Sequence, residues 1–293
     1  MVCDDHILIR LAHSPDPDDA FMWWPLFEVD GESPRLETGR FRFEPVTQDI
    51  ETLNRRAATG ELEITAMSCA QYPHVQHLYA ITSCGASMGE AYGPKLVARS
   101  PLTVKALRES KPLIAIPGER TSAFAALCMM LGRDSFRHEV VPFETIIDHV
   151  AAGGFDAGLV IHEGQLTFCD AGLHLVQDMG AWWTAKTNLP MPLGINAIRR
   201  DLDAHHGEGT IAAVCDLLLQ SVRYALAHRD DSIRYALRYA RGMSHELADE
   251  FVGLYVNKRT IDFGETGREA VRVFLSECCR IGLTPPVHEI AMC

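Results

Sequence analysis

The chain has 293 residues, 47% of them hydrophobic, enough to bury one large core or two smaller ones, which excludes a disordered or fibrous protein. Its 39 acidic and 27 basic residues give a formal charge of −12, which argues against a nucleic-acid-binding surface. The opening MVCDDHILIRLAHSPDPDD has neither a basic leader nor an unbroken apolar stretch, and no later run approaches the roughly 18 apolar residues of a spanning helix, so a cytoplasmic protein without a membrane partner is expected.

Ile7 to Ala12 reads as the first strand, running into His13-Ser14-Pro15-Asp16-Pro17-Asp18-Asp19 and then an apolar helix from Ala20 to Phe27. The prolines and aspartates predict a rigid turn with Asp18 or Asp19 capping the helix. Three carboxylates there would repel an anion or hold a cation, although capping alone accounts for them. Phe41 to Val46 alternates like a strand, Asp49 to Thr59 reads as a helix closed by Gly60, and Glu63 to Ser68 as a buried strand ending in a hydroxyl. A short helix broken by Pro73 follows. This β-α-β rhythm implies a parallel sheet.

The glycine-punctuated run Gly85 to Pro94 lacks the Gly-Lys-Ser/Thr of a phosphate loop and reads as a crossing between domains. Leu113 to Ile116 is a strand, and Thr121-Ser122 opens the apolar helix Ala123 to Leu131. The first amides of such a helix are unpaired, so a hydroxyl pair there can fix a carboxylate or phosphate, or serve only as a cap.

Ala157 to Ile161 is a short apolar run with β-branched residues at its end, the pattern of a central parallel strand, and it stops at His162-Glu163. Strand ends of an open α/β sheet face the ligand crevice, so His162 is the candidate base; its plain alternative is a satisfied strand-end histidine. Trp182-Trp183 would line a ligand or plug a core. Leu189 to Ile198 is a proline-stiffened loop entering a strand and reads as a second crossing, after which the chain is mainly helical. The nine cysteines (Cys3, Cys69, Cys84, Cys128, Cys169, Cys215, Cys278, Cys279 and Cys293) are scattered, odd in number and free of C-x-x-C spacing, which predicts reduced core thiols and no metal site.

Two crossings give an outer discontinuous α/β domain, 1–97 plus 196–293, and an inner α/β domain, 98–195. That is the plan of the two-lobed periplasmic binding protein-like (type II) fold, with a ligand cleft between lobes. Several segments also carry a family resemblance. Ser14-Pro15-x-Pro17-x-Asp19-x-Phe21, Gly85 to Arg99 with Tyr92-Gly93-Pro94, Pro117-Gly118 with Thr121-Ser122, Gly158 to Gly164 and Leu189-Pro190-x-Pro192-Leu193-Gly194 together resemble the 1,4-dihydroxy-6-naphthoate synthases of the futalosine route to menaquinone.

The resemblance implies a carbon–carbon lyase converting cyclic dehypoxanthine futalosine to 1,4-dihydroxy-6-naphthoate, with His162 as proton acceptor and no metal or redox cofactor. It carries substrate contacts to Met67, Ser68, Thr121 and Ser122, with Ser14 in the adjoining loop, and implies a small carboxylate as partner; the sequence leaves a homodimer open. The chain departs from the family where Asp16-Pro17-Asp18-Asp19 replaces Cys-Pro-Asn-Asp, and near Ala66-Met67, where a lysine is common. Both departures remove attraction for an anion. The alternative readings are a solute-binding protein and a chorismate dehydratase-like paralogue on the same scaffold.

Overall fold

A computed structural model describes residues 6–162, 164–240, 243–287 and 289–293. Its strands are β1 (Ile7–His13), β2 (Phe41–Thr47), β3 (Ile64–Ser68), β4 (Tyr79–Ile81), β5 (Ser87–Gly89), β6 (Lys95–Ala98), β7 (Leu113–Ile116), β8 (Arg137–Val140), β9 (Ala157–Val160), β10 (His174–Asp178) and β11 (Met191–Arg199). They form two sheets. The first runs β2-β1-β3-β11-β4 with β5 paired to β11, and the second runs β10-β6-β9-β7-β8.

The sequence patterns explain these positions. β3 and β9 are buried at every residue, as continuous apolar runs inside sheets should be. β2 alternates buried and exposed residues over its first half and lies at an edge. The expected all-parallel sheets are mixed: β1 is parallel to β2 and β3, but β11 runs antiparallel to β3, and β9 is parallel to β7 and antiparallel to β6. The two crossings cause this, because each returns the chain to a sheet from its far end.

The crossings also sit earlier than the sequence implied. Lys95, Leu96 and Val97 pair with Val160, Leu159 and Gly158, so all of β6 belongs to the second lobe. Gly194 to Ile198 pair with Ser68 to Ile64, so β11 belongs to the first. The expected boundaries at 97/98 and 195/196 fall inside β6 and β11, each of which pairs within a single sheet. Pro192 does not end β11, because it sits beside a register irregularity opposite Met88 that tolerates the missing amide.

Behind the cleft one core joins both lobes, bringing together Met67, Tyr72 and Ile195 of the first with Ile114, Leu127 and Leu159 of the second. The helix Gly264–Arg280 seals it, and Phe274 meets Trp183 edge-on at 5.4 Å. Trp183 is thus a core plug rather than a ligand contact: it is fully buried, and its Nε1 donates to the Pro190 carbonyl at 3.0 Å. The helix Thr210–Ala227 has the length and mean hydropathy, 1.3, of a membrane span, a feature the sequence reading missed. It packs one face against the protein through Val214, Leu218, Val222 and Ala225, while Asp216, Gln220 and Arg223 lie on the other. Among the described residues the cysteines other than Cys3, which lies outside them, are free thiols.

The same C-terminal helix is tied to the second lobe by Glu277, which accepts from Lys186 at 2.8 Å and from Arg280 at 2.9 Å. The hydrogen bond from Arg280, then that from Lys186, lowers the Glu277 carboxyl to about 2. A depressed carboxyl stabilises the fold above its ordinary range, and that stabilisation fades as pH falls through the window toward about 2. Glu277→Gln is expected to cost about 0.5–1 kcal/mol at pH 7, discounted for solvent screening, with the gap from wild type closing as the pH drops below 4 in urea melts. A gap that persists unchanged in acid would show the effect is not this ion pair.

Candidate functional site

The cleft lies where strand ends of the two sheets face each other. Ser14, Met67, Ser68, Thr121, Ser122 and His162, the residues singled out in the sequence, all line it. Ser14 follows β1, Met67 and Ser68 close β3, and Thr121 and Ser122 stand at the start of the helix Ser122–Leu131 that follows β7. His162 follows β9 one residue beyond Ile161.

His162 is mostly buried and has φ of +57°, a left-handed backbone uncommon outside glycine. That kink ends the strand and swings the ring into the cleft. The ring packs edge-on against Phe143 at 4.5 Å, and its Nδ1 lies 2.6 Å from Oδ2 of Asp16. Glu163 lies outside the described residues.

Asp16 comes from the loop after β1. The expected side-chain cap by Asp18 or Asp19 is not formed, because Pro17 takes the first position of the helix Pro17–Trp23 and moves the cap position to Asp16, which itself makes no capping bond. The carboxylates are thereby freed for the cleft. Asp19 accepts from the Ser14 amide at 2.9 Å, and the Ser14 hydroxyl lies 2.7 Å from both Asp19 Oδ2 and Asp16 Oδ2. Asp18 accepts from the Ser87 hydroxyl at 3.3 Å.

Burial dominates the electrostatics here. It pushes the Asp18 carboxyl well above the usual range, helped by Asp19 and Asp16 and opposed by His162. It raises Asp19 against the pull of His13 and the Ser14 hydrogen bonds, and lowers His13, which Asp19 partly offsets. The loop therefore carries less negative charge than three exposed aspartates would. Among the described residues no lysine or arginine lines the cleft.

The rest of the lining brings hydroxyl and amide groups from both lobes, Ser68 from the lobe of the acidic loop and Thr121 and Ser122 from the lobe of His162. Thr121 is the helix cap: its Oγ1 accepts from the Phe124 amide at 3.1 Å and donates to the Gly118 carbonyl at 2.8 Å. That leaves the first-turn amides of Ser122 and Ala123, both on the cleft wall. Ser122 Oγ donates to the Leu193 carbonyl at 2.6 Å, and Ser68 is held on both sides by Asn54, through its amide at 2.8 Å and its hydroxyl at 3.1 Å. Leu193, Gly194, Ile195 and Met67 supply apolar surface beside these donors.

Some cleft residues had no clear signal in the sequence. Tyr255 donates to Gln165 Oε1 at 2.9 Å, tying the C-terminal helical region to the second lobe across the cleft mouth, and burial raises its phenol. Gln165 was within reach of sequence reasoning, since it follows His162 by less than a helical turn and its amide donates to the His162 carbonyl at 3.1 Å. Tyr255 was not, because nothing local distinguishes it from the core tyrosines of neighbouring helices.

Comparison with known proteins places this geometry in context. A family described as menaquinone biosynthesis matches residues 9–280. A 1,4-dihydroxy-6-naphthoate synthase from Thermus thermophilus is 38% identical over 95% of this chain and 96% of its own length. A synthase of the same name from Streptomyces coelicolor is 33% identical over 97% of each. Among solved structures, a protein from Archaeoglobus fulgidus superposes with a TM-score of 0.84 at 37% identity, over 97% of this chain and all (100%) of that one. The ligand-binding component of an import system from Staphylococcus aureus superposes with a TM-score of 0.72 at 10% identity, over 97% and 96%, which shows the two-lobed periplasmic binding-protein fold alone.

Proposed function

The chain belongs to the 1,4-dihydroxy-6-naphthoate synthase family of menaquinone biosynthesis and is an enzyme of that pathway, and we propose that it converts cyclic dehypoxanthine futalosine to 1,4-dihydroxy-6-naphthoate by a carbon–carbon bond cleavage that His162 initiates. The observation that carries the reading is that His162 and a set of hydroxyl and amide donors from both lobes line one cleft whose described lining holds no lysine or arginine. The imidazole is the group able to accept a proton near neutral pH. The Ser68 hydroxyl and the backbone amides of Ser122 and Ala123 at the start of the helix Ser122–Leu131 hold the substrate carboxylate, a role hydrogen-bond donors can fill without a cationic side chain. Met67 and Leu193 pack against the aromatic ring, and Ser14 organises the carboxylate loop.

Proton abstraction leaves an electron pair on the substrate carbon; that pair forms a new double bond as the neighbouring carbon–carbon bond breaks, the sugar-derived fragment departs with the broken bond's electrons and takes up a proton, and the bicyclic product becomes aromatic. Incubating the purified protein with cyclic dehypoxanthine futalosine and, separately, with chorismate tests the reading. Mass spectrometry should show dihydroxynaphthoate from the first and unchanged chorismate in the second. Turnover of chorismate instead, or recovery of both compounds intact, contradicts it.

A further inference from the structure

The acidic loop after β1 has a feature that substrate binding does not explain. Asp16 Oδ2 lies 2.6 Å from Nδ1 of His162 and 2.7 Å from the Ser14 hydroxyl, so this one oxygen is fixed from two sides. Asp16 is almost wholly buried, and it stands on the first lobe, while His162 follows β9 of the second. Resting on the reading of His162 as the base, we propose that Asp16 is the positioning residue of His162, delivered across the cleft by the opposite lobe.

The physical argument starts from the two ring nitrogens. A carboxylate at Nδ1 accepts the N–H there, which leaves Nε2 as the lone-pair nitrogen. When Nε2 takes the substrate proton, the C–H bond breaks, the new N–H bond forms, the electron pair stays on carbon, and the ring becomes a cation. Asp16 stays ionised and stabilises that cation, as the buried carboxylate of a catalytic triad does. Phe143 meets the ring edge-on at 4.5 Å and limits its rotation, but supplies no charge.

The other titratable groups near the ring are Asp18, on the same helix turn as Asp16, with Asp19 and His13 behind Ser14. Asp19 is committed to Ser14, and Asp18 takes the Ser87 hydroxyl, so Asp16 is the carboxylate engaged with the imidazole. The lobes also meet through Arg120 and Gln71 at 3.1 Å and through Tyr255 and Gln165 at 2.9 Å, so the pair is seen in a closed cleft. Opening the lobes would draw the carboxylate away from the ring, which makes closure part of preparing the base.

Asp16→Asn tests this, because it keeps the shape and an accepting oxygen but removes the charge. The variant should melt like wild type, lose at least about tenfold in kcat with KM within about threefold, and move the rising limb of the kcat/KM profile to lower pH by about one unit. Asp16→Glu should recover part of kcat and return the limb toward its wild-type position. A kcat within threefold of wild type, or a fall in kcat with the limb unmoved, overturns the proposal. His162→Asn run alongside separates the two claims: if it stays active the base assignment itself fails, and if it is inactive while Asp16→Asn behaves as wild type, only the positioning role fails.

Discussion

Replacing His162 with asparagine should lower kcat on the cyclic substrate by about 10²- to 10⁴-fold, or roughly 3–5 kcal/mol of barrier, while the protein remains folded. Asparagine is the informative substitution because His162 has φ of +57°, which asparagine tolerates and alanine does not. His162→Ala would lose the base and strain the turn together. KM should change little in either variant, because the wall of Ser68, Thr121 and Ser122 stays in place. A variant within tenfold of wild type at pH 7 would mean another group takes the proton.

Gly180→Ala should destabilise the protein by about 3 kcal/mol or more and lower Tm by roughly 6–12 °C. Gly180 is inside the helix Met179–Thr187, where alanine would ordinarily gain about 0.5–1 kcal/mol, so the sign of the effect decides between helix propensity and packing. Packing wins because a Cβ there would lie 1.9 Å from the Tyr92 carbonyl oxygen and 2.1 Å from its carbon. These are backbone atoms of the first crossing, which the helix start also holds through the Met179 amide, donating to the Pro94 carbonyl at 2.8 Å.

Relieving the clash would mean moving the segment that joins the lobes, with consequences for the cleft as well as for stability. Gly172→Ala is the control: its φ is +72° but nothing lies within 4 Å of the added carbon, so only about 1 kcal/mol of backbone strain is expected. Thermal unfolding followed by circular dichroism would show the difference, and a Gly180→Ala variant melting within 2 °C of wild type would contradict the close crossing.

These two sites show what the sequence could and could not convey. The apolar run ending at His162 and the hydroxyl pair opening an apolar helix are local patterns, the one read from a strand end and the other from a helix start, and both line the cleft. The pairing of Asp16 with His162 was not legible, because it joins residues on different lobes and depends on Pro17 moving the helix start. Read locally, the carboxylates were caps; in the fold they face the site. The change from parallel to mixed sheets was hidden for a similar reason: a strand's direction depends on which end of the sheet the crossing enters, and nothing in Lys95 to Ala98 or Met191 to Arg199 encodes that. Proline residues near the second crossing read as a loop, yet β11 accommodates Pro192 at a register irregularity.

The structure also changes how the three aspartates are understood. As exposed charges they would repel an anionic substrate, but burial raises Asp18 and Asp19, and Asp16 is engaged with the imidazole. The cleft therefore combines hydroxyl and amide groups from both lobes with a carboxylate and an imidazole that meet across it.

A crystal structure with 1,4-dihydroxy-6-naphthoate bound tests the central claim most directly. The product should lie in the cleft with its carboxylate within hydrogen-bond distance of Ser68 or the Ser122 end of the helix, and with its reacting ring edge facing Nε2 of His162. Product bound outside the cleft, or in it with the His162 ring turned away, would contradict the account.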